Sequence, residues 1–189
     1  AVRKSEMRFG DRIAILGAGP IGMLTIQAAR AAGASDILVS EPSEARRKVA
    51  KSLGADIVVN PATENVVDTA ERFTQGNGLD VIFDCAGTGP TLDNAFNMVR
   101  QFGQVMLVAV PWEPLQISPV DWMAREIKMQ TTFGARTEDY KIALNLIKED
   151  GISIDKMVSE SEIITLDEIQ DAFEELIKPS IQLQVMIKF

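Results

Sequence analysis

The chain has 189 residues, 46% of them hydrophobic and 24% charged, enough apolar mass for one core or one core with an appendage. A formal net charge of −8 makes phosphate backbones and anionic lipid poor partners, so neither nucleic acid nor a membrane is expected. With no histidine and one cysteine, Cys85, the chain cannot supply a Ser-His-Asp triad, an internal disulfide or the ligands of a zinc site.

The lead-in AVRKSEMRFGDR lacks the apolar segment of a signal peptide, and a start at Ala1 rather than Met reads as a cut inside a longer protein or as the product of processing. No apolar run reaches the roughly 18 residues of a membrane span. The lone cysteine fits a reducing compartment, and a cytoplasmic location is expected.

In chain order, short β-branched runs alternate with helical stretches. Strands are predicted at 12–16, 37–41, 56–60, 81–84, 105–110 and 127–133, and helices at 20–32, 43–53, 64–74, 91–102 and 137–149. Most of these strands are apolar throughout rather than alternating, as in a parallel sheet covered on both faces. The pattern predicts an α/β Rossmann fold, a doubly wound six-stranded parallel sheet. Ser43 reads as a helix N-cap. Gly33-Ala34 and Gly54-Ala55 read as helix stops with glycine just past the end, and Gly76-Asn77-Gly78 as a turn.

After Gly151 the rhythm changes. An irregular or strand-like stretch at 153–164 leads to a helix at 166–177, opened by Thr165 with Glu168 in capping-box spacing and closed by Pro179, and then to a final strand at 181–189. The expected division is a Rossmann domain at 1–152 and a helix-strand tail at 153–189.

The chemistry concentrates in Gly17-Ala18-Gly19-Pro20-Ile21-Gly22, which follows the first strand and opens the first helix. Unpaired amides and the helix dipole at such a start favour a diphosphate. Gly17 permits the tight turn, Gly19 leaves room for the pyrophosphate, Gly22 lets helix and strand approach, and Pro20 is tolerated in the first turn. Glu41 ends the second strand 19 residues beyond Gly22, where a carboxylate accepts hydrogen bonds from the adenosine ribose. It also repels a 2′-phosphate, which favours NAD over NADP. Arg46 and Arg47 argue the other way, since arginine accommodates that phosphate.

With these segments in order, the sequence resembles the zinc-dependent alcohol and polyol dehydrogenases of the medium-chain dehydrogenase/reductase superfamily, such as the sorbitol, butanediol and threonine enzymes. The resemblance rests on ILGAGPIGMLTIQAARAAGA, SEPSEARRKVAKSLGAD, DVIFDCAG, VMLVAVP and FGAR, and runs from about Gly10 to Phe189. It implies that Gly19, Pro20 and Ile21 cradle the pyrophosphate, that Glu41 reads the ribose and that Arg46 flanks the adenosine. It places Cys85, Ala86 and Gly87 beside the cofactor ribose, Val108, Ala109 and Val110 along the nicotinamide, and the Phe133 backbone at the carboxamide.

By the same resemblance, strand 127–133 lies at a sheet edge that pairs with a second subunit, giving a homo-oligomer. A catalytic domain carrying the zinc ligands and most of the alcohol or polyol pocket would precede this chain, and the tail would return to it. Two departures are Ala109 in place of the usual glycine and Gln184 in place of a Lys or Arg near the pyrophosphate. The implied function is the NAD(H)-binding part of a zinc-dependent dehydrogenase, with zinc only in the parent and no catalytic or metal-ligating residue here. The alternatives are a non-catalytic NAD-sensing module and a zinc-free reductase of the same superfamily.

Among the remaining candidates, Cys85 reads as packing, Asp84 as a holder of local backbone donors and Arg136 as either a phosphate contact or a surface residue. Trp112 and Trp122 read as core or subunit contacts, Glu113 and Asp121 as solvated charges, and Met98, Met106, Met123 and Met129 as gap-fillers.

Overall fold

The computed structural model describes residues 1–158, 163–177 and 184–188. Six strands form one parallel sheet: β1 (Arg12–Leu16), β2 (Asp36–Ser40), β3 (Ile57–Val59), β4 (Leu79–Asp84), β5 (Val99–Leu107) and β6 (Lys128–Thr131). Their order, β3-β2-β1-β4-β5-β6, puts the first strand in the middle. The chain winds outward on one side of β1, then returns and winds outward on the other. Connections therefore diverge between β1 and β4, and a crevice opens above their C-terminal ends. This is the doubly wound Rossmann fold that the alternation predicted.

Continuous apolar strands follow from burial on both faces. Ile13 and Ile15 of β1 point into one layer with Met23, Ile26, Ile37, Val39 and Phe83. Ala14 and Leu16 point into the other with Leu38, Ile82, Leu92, Met98 and Val105. Helices α1 (Pro20–Ala31) and α2 (Glu44–Ser52) cover the first face, and α3 (Val66–Thr74) and α4 (Gly89–Met98) the second. Each fully buried Ile or Leu contributes about 1.5–3 kcal/mol, so these layers dominate the stability.

The predicted helix ends are realised in detail. Gly33 and Gly54 have φ of +95° and +115°. The Gly33 and Ala34 amides donate to Arg30 and Ala29, and those of Gly54 and Ala55 to Lys51 and Ala50. These are two copies of the motif in which a left-handed glycine satisfies the last carbonyls of a helix. Ser43 caps α2 by accepting the Arg46 amide, and Thr165 and Glu168 form the expected capping box.

Three expectations require correction. The helix predicted at 91–102 starts at Gly89 and ends at Met98, and β5 begins at Val99 rather than Val105. Leu92, Ala95, Val99 and Phe102 keep a helical spacing, but Val99 pairs with Leu79 on β4. The register then slips, because Gln104 is the partner of Val81, and Phe102 takes a φ of +60° within that bulge. Strand β5 also stops at Leu107, so Val108, Ala109 and Val110 lie in the loop beyond it. Finally, helix α5 (Pro119–Ala124) forms where no element was expected, with Ser118 before it and Pro119 in its first turn.

Beyond β6, α6 (Thr137–Lys148) lies beside α1 across a shallow cleft. Residues just past it return to the core: Gln27 bonds both the Ser153 carbonyl and the Ser153 amide, and Met157 is buried. In the tail, β7 (Ile163–Ile164) pairs in parallel with β8 (Met186–Ile187), and α7 (Ile169–Ile177) follows the capping box. Pro179 and parts of the stretches 153–164 and 181–189 lie outside the described residues.

Candidate dinucleotide-binding site

The glycine turn sits at the C-terminal end of β1, next to the point where the winding of the chain reverses. Gly17 has φ of +91°, a left-handed conformation that glycine adopts without steric cost. A Cβ on Gly22 would stand 2.0 Å from the Gly17 carbonyl oxygen, so bare glycine is what lets α1 start this close to β1. Gly19 is different. Its φ of −71° suits any residue, and a Cβ there would meet no atom of the described residues within 4 Å. Nothing among the described residues demands glycine at this position. The space it leaves open lies at the start of α1, where no side chain caps the helix and the amides of Ile21 and Gly22 have no intrahelical acceptor.

Glu41, directly after β2, is 4% exposed. One carboxylate oxygen accepts the Ala18 amide at 2.8 Å and the other the Ser43 amide at 2.9 Å. The acid thus ties the glycine turn to the loop before α2. Part of its hydrogen-bonding capacity is used inside the protein, a contact that strand spacing alone did not reveal. Arg46 stands in the first turn of α2, and Arg47 folds back onto the Glu41 and Pro42 carbonyls.

Across the switch point, Cys85, Ala86 and Gly87 leave β4 against the turn: a Cβ on Gly17 would lie 3.1 Å from that of Ala86. Asp84 is fully buried and organises this side. Its carboxylate accepts the Ala86 and Gly87 amides at 3.0 and 2.9 Å and the Thr91 hydroxyl at 3.1 Å. Its carbonyl accepts the Val108 and Ala109 amides at 2.9 and 3.0 Å. One residue therefore fixes both loops, and burial pushes its carboxyl above the usual carboxylate range despite these donors.

Gly87 and Ala109 touch closely enough that a Cβ on Gly87 would lie 2.8 Å from that of Ala109. Cys85 lies beside the Thr25 hydroxyl, and burial pushes its thiol up to about 12. That fits the packing role expected for it.

Ile21, Val108, Thr132 and Gly134 line an apolar cleft of about 510 Å³ between α1 and α6. Val110 and Phe133 do not line it, and Phe133 is 86% exposed. Arg136 precedes α6, where its amide donates to Asp139 at 2.8 Å. Of the other candidates, Trp122 packs on Phe96 and donates to the Ile127 carbonyl, whereas Trp112 is exposed. Met98 and Met106 are core residues; Met123 is not, being exposed on α5. Thr91 was missed, although Thr88-x-x-Thr91 is a capping spacing that could have pointed to it.

Fold and glycine turn together define a Rossmann domain of the dehydrogenase type. The profile of the family described as "Zinc-binding dehydrogenase" matches residues 20–149, and the chain belongs to that family. It is 36% identical over its full length to (R,R)-butanediol dehydrogenase of Bacillus subtilis, and covers 54% of that protein. The crystal structure of 2R,3R-butanediol dehydrogenase from Bacillus subtilis superposes with a TM-score of 0.91 at 35% identity, over all of this chain and 53% of that one. A candidate zinc-binding dehydrogenase from Sinorhizobium meliloti, solved bound to NADP, gives 0.86 at 31% identity over 98% of this chain and 54% of its own.

The chain thus spans about half the length of the relatives it matches, and corresponds to their cofactor-binding half. The zinc of the family name does not fit these residues. There is no histidine and one cysteine, and among the described residues no three or more His, Cys, Asp or Glu side chains converge.

Proposed function

We propose that the chain is the NAD(H)-binding part of a zinc-type alcohol or polyol dehydrogenase. The observation that carries this reading is Gly19: the fold itself does not require glycine there, yet a side chain would occupy the open space at an uncapped helix start.

In this reading the Ile21 and Gly22 amides and the positive end of α1 hold the diphosphate. The Glu41 carboxylate accepts hydrogen bonds from the adenosine ribose and repels a 2′-phosphate, with Arg46 alongside. The 85–87 and 108–110 loops, fixed by Asp84, orient the nicotinamide end, with the Phe133 backbone at its carboxamide. When bound, the nicotinamide accepts a hydride from, or returns one to, an alcohol carbon. The chain contributes binding and orientation, and the alcohol site belongs to the part of the parent enzyme that these residues do not form.

Two structural features support the wider assembly. Strand β6 lies at the sheet edge, where its free side suits pairing with a second copy. Apolar side chains of α6 and α7, among them Leu144 and Phe173, face solvent and suit contact with the rest of the parent enzyme.

Calorimetric titration of the chain with NADH and NADPH, repeated on Glu41→Gln, tests the reading. NADH is expected to bind wild type more tightly than NADPH, and the substitution to weaken NADH about tenfold, the loss of one charge-assisted hydrogen bond. Equal binding of both nucleotides, unchanged by the substitution, would refute the ribose assignment. The chain alone is expected to oxidise no alcohol, with or without added zinc.

A further inference from the structure

We propose that Arg47 is a positioning residue for nucleotide choice, acting through the Glu41 backbone rather than on the ligand. The inference rests on the dinucleotide reading above. From sequence, Arg46 and Arg47 both stood as candidate partners of a 2′-phosphate. The structure directs Arg47 elsewhere. Its guanidinium Nη1 donates to the Glu41 carbonyl at 2.7 Å and to the Pro42 carbonyl at 2.6 Å.

Those two carbonyls belong to the turn between β2 and α2. Around them the Glu41 amide is held by Val59 on β3 at 3.0 Å, and the Glu41 carboxylate by the Ala18 and Ser43 amides. Pro42 has no N–H with which to strengthen the turn. Two adjacent carbonyl oxygens brought to one point repel each other unless a donor lies between them, and a guanidinium is a donor that stays charged at all working pH values. Arg47 therefore fixes the backbone from which the Glu41 side chain projects. It also commits Nη1 to these backbone carbonyls rather than to a 2′-phosphate. The site then presents a carboxylate held in one orientation, which suits paired ribose hydroxyls and opposes a phosphate.

The test is equilibrium titration of the 189-residue chain with NADH and with NADPH at about 0.15 M salt, where long-range charge effects are damped. The proteins are wild type, Arg47→Met, which keeps the aliphatic stem without donors, and Arg47→Lys, which keeps charge and donors. The Met variant is expected to lose about tenfold in NADH affinity with NADPH changed by less than about twofold, so that the preference collapses. The Lys variant is expected to recover most of it.

A Met variant that weakens NADPH more than NADH would make Arg47 a direct phosphate ligand and overturn the proposal. Equal weakening of both would reduce the residue to a purely structural role, and no change would remove it altogether. Should the Met variant fail to fold, Arg47→Gln is titrated in its place, with the same outcomes deciding. Wild type that binds neither nucleotide would instead sink the dinucleotide reading, and this inference with it.

Discussion

The α-carbon of Gly22 faces the carbonyl oxygen of Gly17 so closely that a methyl group there would lie 2.0 Å from it. Two glycines five positions apart are thus locked as a pair: one makes the turn and the other lets the helix return over it. Gly19, between them, has no such constraint.

Gly22→Ala is expected to destabilise the chain by about 3 kcal/mol or more, because backbone rather than a flexible side chain must move. Gly19→Ala is expected to cost about 1 kcal/mol or less, the difference between Gly and Ala at an N-cap, while weakening NADH by at least about tenfold. Urea unfolding and cofactor titration of the two variants check this. A Gly19→Ala chain that binds normally would remove the main support for a diphosphate at this turn.

Asp84 gives a pH-dependent prediction. Its carboxyl is raised by burial, so the folded state holds the proton more tightly than the unfolded chain does. Its favourable contribution is therefore complete below the ordinary value near pH 4 and is lost as pH rises through the folded value. Asp84→Asn keeps an acceptor for the Ala86 and Gly87 amides and does not ionise. The stability gap between wild type and variant is expected to move in favour of Asn as pH rises from about 4 towards neutrality. A gap that moves the other way would mean that the three donors outweigh burial.

Cys85 is expected to be inert in the native chain. With the thiol pushed up to about 12 from an ordinary value of 9.0, about a thousandfold less thiolate is present at neutral pH. Iodoacetamide at pH 8 should modify it at least about a thousandfold more slowly in buffer than in urea. Comparable rates would show that the β4 end opens readily.

Much of the fold is legible in the sequence because its requirements are local. Short apolar runs without alternation, rich in β-branched residues and set between helical stretches, suit strands covered on both faces. Gly33 and Gly54 announced left-handed helix ends, and Gly17 and Gly22 a turn that no bulkier residue can make. The misjudged boundary between α4 and β5 is one where tertiary pairing overrides a local pattern. Val99 and Phe102 continue the helical spacing of α4, yet Val99 is claimed by Leu79 on the neighbouring strand.

The residue types at the candidate site are visible in the chain, but their directions are not. Residue order placed an acid at the end of β2; only the fold shows its oxygens holding Ala18 and Ser43, with Arg47 bonded to its backbone carbonyl. In the same way, Asp84 could be recognised as a binder of backbone donors, but its hold on loops from two strands arises only when β4 and β5 lie side by side. Backbone strain and burial are properties of single positions, so sequence records them. Hydrogen-bond partners far apart along the chain are chosen by packing, and the tertiary structure alone decides them.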